Sequence, residues 1–269
     1  MKIAAVQMVS TPDWPDNRAA AARLVAQAAA AGAQLVLLPE YFCILGQRDT
    51  DKLALAEPPG GPIQMFLADL AREHALWLVG GTLPLRLPLP PPGATQVLNR
   101  CCVFAPDGHE AAHYDKVHLF AFDNGHESYD EGRTLIAGRE AVALQAGPLR
   151  VGLSICYDLR FPELYRALMN PPCDLLCVPS AFTHTTGQAH WELLLRARAV
   201  ENQCYVLAAA QGGTHRNGRR TWGHSLIVDP WGEVLDVLDE GEGFVVADVD
   251  SARLLQVRTQ LPALLHRRL

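Results

Sequence analysis

The chain has 269 residues, 49% of them apolar and 19% charged, with a formal net charge of −6. That length and balance describe a folded protein with a substantial core, not a disordered one. The acidic balance and the scattered Lys and Arg argue against nucleic acid as the partner, and no apolar run is long enough to span a bilayer.

Lys2–Met8 reads as a strand. It begins at once, without the long apolar stretch of a signal peptide, so no targeting segment is expected. Asn17–Ala31 reads as an Ala-rich helix stopped by Gly32. Gln34–Leu38 is a short apolar strand ending at Pro39-Glu40, Pro62–His74 a second helix and Leu76–Thr82 a third strand. Residues 84–93 carry five prolines and read as an exposed loop. Val97–Ala105 and His109–Leu119 read as paired strands about a Pro-Asp-Gly turn. Phe120–Gly138 is polar and long for a plain connection, as functional loops are.

Ala141–Ala146 and Leu149–Ile155 form another strand pair, followed by a helix over Arg160–Met169, a strand over Asp174–Val178 and a periodic helix over Gln188–Asn202. Tyr205–Ala210, two strands within His224–Leu238 and Phe244–Val249 complete the pattern. Sheet and helix alternate without a linker, so residues 1–269 are expected to form a single α/β domain. The seven cysteines are odd in number and show no framework spacing or Cys-x-x-Cys. This argues against a disulfide-stapled secreted fold and makes a reducing cytoplasm the expected location. Cys173 and Cys177 read as small core residues.

Three residues stand where chemistry could occur. Cys156 follows the apolar run Val151–Ile155 and precedes a polar stretch, Tyr157–Arg160. A strand-to-helix turn there would hold a nucleophile out of the core and aim N–H groups at an oxyanion; a buried core cysteine fits the local context equally. Glu40 at the lip of a buried strand is either a solvated strand end or a general base. Alternation along the strand places Lys116 and His118 on one side, where Lys116 is either a snorkelling surface residue or an anion partner. His118 reads as a hydrogen-bonded neighbour. The histidines and the cluster Asp123, His126, Glu127, Asp130 and Glu131 are not read as a metal site. No Gly-rich phosphate loop occurs, so no metal and no cofactor is expected.

These positions are joined by a resemblance. The blocks Leu37-Leu38-Pro39-Glu40, Tyr114-Asp115-Lys116-Val117-His118-Leu119 and Ser154–Glu163, in that order and wide spacing, resemble the nitrilase, or carbon–nitrogen hydrolase, superfamily over almost the whole chain. The resemblance implies an αββα four-layer sandwich and a homodimer pairing through helices near the nucleophile. It implies a triad of Cys156 as nucleophile, Glu40 as base and Lys116 as oxyanion partner. It also implies an acid in the following loop that supports the lysine: Glu131 matches best, with Glu127 and Asp130 as competitors. Two departures are the proline-rich segment Pro84–Pro92, at the expected pocket rim, and an early end at Leu269, where a tail would make dimer contacts.

Within the superfamily, Arg196-Ala197-Arg198-Ala199, Gln203-Cys204-Tyr205-Val206 and Ala208-Ala209-Ala210-Gln211 look most like the branch of deaminated glutathione amidases and omega-amidases. The expected reaction is cofactor-free hydrolysis of a small carboxamide to acid and ammonia through a cysteine thioester, with deaminated glutathione preferred. The alternatives are an omega-amidase on 2-oxo-acid amides, another amidase or carbamoylase, and a catalytically idle binding protein. Tyr157 is expected to offer its N–H to the oxyanion, and Arg133, Thr183, His184 and Arg216 are candidate contacts to substrate carboxylates.

Overall fold

The computed structural model describes residues 1–87 and 95–268. One sheet has eight strands. Six follow the order Gly243–Asp248, Lys2–Gln7, Leu35–Leu37, Trp77–Val79, Val97–Phe104 and Leu83–Leu85, while Glu110–Asp115 and Leu135–Ile136 also pair with Val97–Phe104. The other sheet has six, in the order Ala143–Ala146, Leu149–Leu153, Leu175–Ser180, Tyr205–Ala210, Ser225–Val228 and Val234–Leu238. The central strands of each pair in parallel. Both of their faces are covered, which is why they read as unbroken apolar runs.

Alternation along Lys2–Gln7 sorts the core. Ile3 and Ala5 pack between the sheets with Val151, Leu153 and Leu175. Ala4 and Val6 pack outward with Leu24, Val25 and Ala28 of the helix Trp14–Ala30 and with Leu67 and Leu70 of the helix Pro62–His74. Trp191, Leu195 and Ala199 of the helix His184–Asn202 join the core of the second sheet. The layers are helix, sheet, sheet, helix: the αββα sandwich.

Several expected boundaries move, each for a local reason. The helix expected over Arg160–Met169 is a 3-10 turn, Cys156–Arg160, then a short helix, Pro162–Ala167. Pro162 opens the helix and forces Phe161 out of helical backbone (φ −111°, ψ 92°). The strand expected to run to Leu119 stops at Asp115, so strand alternation does not govern Lys116 and His118. The proline-rich loop expected over 84–93 starts late. Leu83–Leu85 is a strand, and Pro84 is tolerated there because the strand lies at the sheet's edge; residues 88–93 of that expected loop lie outside the described residues. The stretch 120–138 contains a hairpin of Ala121–Asp123 with Ser128–Asp130, then a 3-10 turn at Glu131–Arg133. No element was expected over Ser251–Gln260, which is a helix capped by Asp250.

Candidate active site

The site lies where chains leave the sheets. Glu40 follows the strand Leu35–Leu37, Cys156 follows Leu149–Leu153, Ala181 follows Leu175–Ser180, and Lys116 follows Glu110–Asp115. The bend after Leu38 needs a glycine opposite: a Cβ on Gly81, whose φ is +57°, would sit 2.2 Å from the Pro39 carbonyl oxygen. Glu40 is 1% exposed. Its Oε1 accepts from Lys116 Nζ (2.8 Å) and Asn99 Nδ2 (2.9 Å), and its Oε2 accepts from the Ala181 N–H (2.9 Å).

Lys116 is fully buried between two carboxylates, with Nζ 2.8 Å from Glu40 Oε1 and 2.8 Å from Glu131 Oε2. Burial by itself would push the ammonium's pKa down, but Glu131 and Glu40 outweigh it and hold the pKa well above the ordinary value. Glu131 in turn accepts the Tyr41 hydroxyl (2.8 Å) and the Phe120 N–H (2.8 Å). Burial would raise its carboxyl, yet the Lys116 charge and hydrogen bond, with the Phe120 N–H, hold it below the usual carboxylate range.

Cys156 is buried and has a φ of 47°, a left-handed conformation that costs a non-glycine residue about 1–3 kcal/mol. Asp158 secures the turn. Its Oδ2 accepts the Ile155 N–H (2.8 Å) and the Tyr114 hydroxyl (2.7 Å), and its Oδ1 accepts the His118 N–H (2.9 Å) and lies 2.7 Å from His118 Nδ1. Burial first, and the Glu40 carboxylate second, push the Cys156 thiol well above its ordinary pKa. The resting thiol therefore keeps its proton, and attack requires a base.

Two spaces open on this cluster. A narrow cleft holding Cys156 is lined by Tyr157, Arg160, Phe182 and Thr183. A larger cavity of about 430 Å³ is lined by Tyr41, Glu131, Tyr129 and Arg219, and Phe120 lines both.

The structure thus brings Glu40, Lys116, Glu131 and Cys156 together, and it separates the competing acids. Glu127 is half-buried and its Oε2 lies 3.4 Å from Thr185 Oγ1, while Asp130 pairs with Arg133. Tyr157 and Thr183 line the cleft, though the Thr183 hydroxyl caps its own helix. His184 packs edge-on against Trp222 and lines neither space. Arg133 is exposed at the larger cavity. Arg216 is an exposed partner of Asp13 and Asp16, away from both spaces. One stretch carries a zinc-type spacing that the expectation of no metal site passes over, His109-Glu110-Ala111-Ala112-His113. It forms a turn and strand instead of a helix, which puts His109 and His113 roughly 13 Å apart along the chain. They pair separately with Asp107 and Glu110.

Sequence reasoning missed Asn99, Tyr41, Asp158 and Arg219. Asn99 left one signal, a polar residue inside the apolar strand Val97–Phe104.

With this geometry in view, the chain belongs to the carbon–nitrogen hydrolase family, whose model matches residues 2–259. It is 42% identical to a Synechocystis protein named deaminated glutathione amidase, over 98% of this chain and 97% of that one. It is 38% identical to human omega-amidase NIT2, over 99% and 95%. The crystal structure of the C. elegans NitFhit protein superposes with a TM-score of 0.89 at 38% identity. The match covers 99% of this chain and 65% of that one, so this chain spans just under two thirds of the worm protein's length. Among the described residues no helix is long and apolar enough to cross a membrane.

Proposed function

We propose that this chain is an amidase that works through a cysteine thioester and prefers deaminated glutathione. The observation that carries the reading is the Lys116 ammonium held between Glu40 and Glu131 beside the buried Cys156 thiol. Glu40 takes the Cys156 proton, and Sγ attacks the amide carbonyl. Lys116, through the N–H not committed to its carboxylates, and the Tyr157 N–H meet the oxyanion; each such donor contributes roughly 3–4 kcal/mol to lowering the barrier. Glu40 then protonates the departing nitrogen. That nitrogen leaves as ammonia from a primary amide, and as an amine from deaminated glutathione, where it carries a peptide remnant. In the second half Glu40 activates water, which opens the thioester to the acid and restores the thiol.

Relatives bearing the name deaminated glutathione amidase support the substrate, and the omega-amidase relative supplies the second reading. The test is acid release from a panel of amides. The expected result is a kcat/KM at least about tenfold higher for deaminated glutathione than for 2-oxoglutaramate, with all release lost in Cys156→Ala. The reverse order makes the chain an omega-amidase; no release from any amide leaves an idle binding protein.

The chain is further proposed to act as one domain, in a reducing cytoplasm, and as a homodimer. Exposed Leu193 and Val200 on the helix His184–Asn202, with exposed Trp231 in the turn whose Gly232 packs against Val200, favour pairing on that face. Sedimentation at micromolar concentration tests it; a monomer there overturns it.

A further inference from the structure

Two guanidinium groups at this site have no carboxylate partner among the described residues. Arg160 lines the cleft that holds Cys156. Its guanidinium lies over the rings of Tyr157 and Phe182, 5.8 and 5.5 Å from their centroids, and Nη1 lies 3.3 Å from His190 Nδ1. Arg219 lines the larger cavity. It lies over the Tyr129 ring at 5.0 Å, its Nη2 donates to the Ala181 carbonyl (3.1 Å), and its buried Nε meets no acceptor among the described residues.

The other cations lining that cavity are committed. Lys52 pairs with Asp49, Arg133 with Asp130 and Arg48 with Asp51. A guanidinium half withdrawn from water without a counter-charge is costly unless a ligand supplies one, and its planar fork matches a carboxylate. One residue ties Arg219 to the reacting centre: the Ala181 carbonyl accepts from Arg219 and the Ala181 N–H donates to Glu40.

We propose that Arg219 binds the carboxylate at the far end of the leaving amine of a dianionic amide, across the scissile bond from Arg160. Arg160, in the narrow cleft with the thiol, stands on the acyl side. Arg219 takes the far end of the leaving amine, in the wide cavity beyond Phe120. The inference rests on the amidase reading above and deepens it. Deaminated glutathione carries this charge pattern; 2-oxoglutaramate has a carboxylate on the acyl side alone.

The experiment compares kcat/KM for deaminated glutathione and for its analogue with the terminal glycine carboxylate blocked as an amide, measured as release of the acyl acid. Wild type is expected to lose roughly tenfold to a hundredfold on blocking, the range for a charged hydrogen bond. Arg219→Gln is expected to lose a similar factor on the free substrate and to stop distinguishing the two. Arg219→Lys keeps the charge and restores part of the discrimination, which a fold defect would not. Arg160→Gln is expected to lose activity on both substrates and still to distinguish them. A wild type indifferent to blocking, or an Arg219→Gln that discriminates as wild type does, overturns the assignment of Arg219. An Arg160→Gln that loses discrimination overturns the division between the two arginines. Absence of acid release by wild type from either substrate overturns the amidase reading itself, so the two failures are told apart.

Discussion

The Lys116 ammonium stands 2.8 Å from the Glu40 carboxylate, with both side chains essentially closed to solvent. A cation so placed holds two carboxylates in a buried site as well as meeting an oxyanion. Lys116→Met is therefore expected to fail twice: activity falls by roughly a hundredfold to a thousandfold, and the orphaned Glu40 and Glu131 charges destabilise the fold by about 3–5 kcal/mol. Denaturant titration beside single-turnover acylation reads both losses. Full stability with lost activity would show that the carboxylates do not depend on the lysine.

Cys156→Ala removes a thiol and little volume. The expected outcome is loss of turnover on the order of ten-thousandfold or more, with a melting temperature within a few degrees of wild type. Cys156→Ser is expected to be almost as inactive, since a carboxylate base cannot make a hydroxyl a comparable nucleophile. Mass spectrometry after an electrophilic amide analogue should find the adduct on Cys156; an adduct on Cys43 or Cys204 moves the nucleophile elsewhere.

Glu131 makes stability depend on acid. Its folded carboxyl is held below the ordinary value, so the unfolded chain binds its proton first as pH falls. The stabilisation is complete above the unfolded carboxylate pKa of about 4.3 and is lost as pH drops through the lower folded value. Melting curves of wild type and Glu131→Gln should thus differ by a constant amount from about pH 6 to 8 and converge below about pH 4. A gap unchanged at the acid end contradicts the depressed carboxyl.

Asp158 does not face the substrate cleft, yet it gathers Ile155, Tyr114 and His118 around the Cys156 turn. Asp158→Ala leaves these donors without an acceptor and frees a strained backbone. About 3 kcal/mol or more of stability should be lost, and kcat should fall more than KM rises, because the thiol is misaimed. Tyr114→Phe removes one donor and should cost about 1 kcal/mol. Equal kcat in Asp158→Ala would show that the turn holds without it.

Much of this architecture is legible in the sequence because burial on both faces writes an unbroken apolar run, as in Val151–Leu153 or Leu35–Leu37. The helix Pro62–His74 has its expected bounds: proline fits its first turn and Ala75 ends it in the left-handed region. What stays hidden depends on partners distant in sequence. The helix His184–Asn202 starts four residues early, through a Thr-Thr-Gly stretch that reads as loop. Gly187 is admitted there because the Trp222 side chain packs where a Cβ would be. Ser251–Gln260 buries only Leu254 and Val257, too few to mark a helical stripe. Glu40, Lys116 and Cys156 each sit in a motif, whereas Arg219 sits in a basic turn, His215 to Arg220, that reads as solvent-facing. Only the fold carries it to Ala181, 38 residues away.

All seven cysteines are free and buried, and burial pushes the thiols of Cys43, Cys101, Cys177 and Cys204 far up. The folded protein is therefore poorly reactive to air, while an unfolded molecule presents seven ordinary thiols at once. Heat in the absence of a reductant exposes these thiols, and mispaired disulfides formed before refolding remove molecules from the native pool irreversibly. Shelf life then depends on how often the chain opens and on how fast the oxidant traps it. The same contrast makes the cysteines a built-in clock: the fraction of chains carrying several maleimides after a timed pulse counts the molecules that have opened.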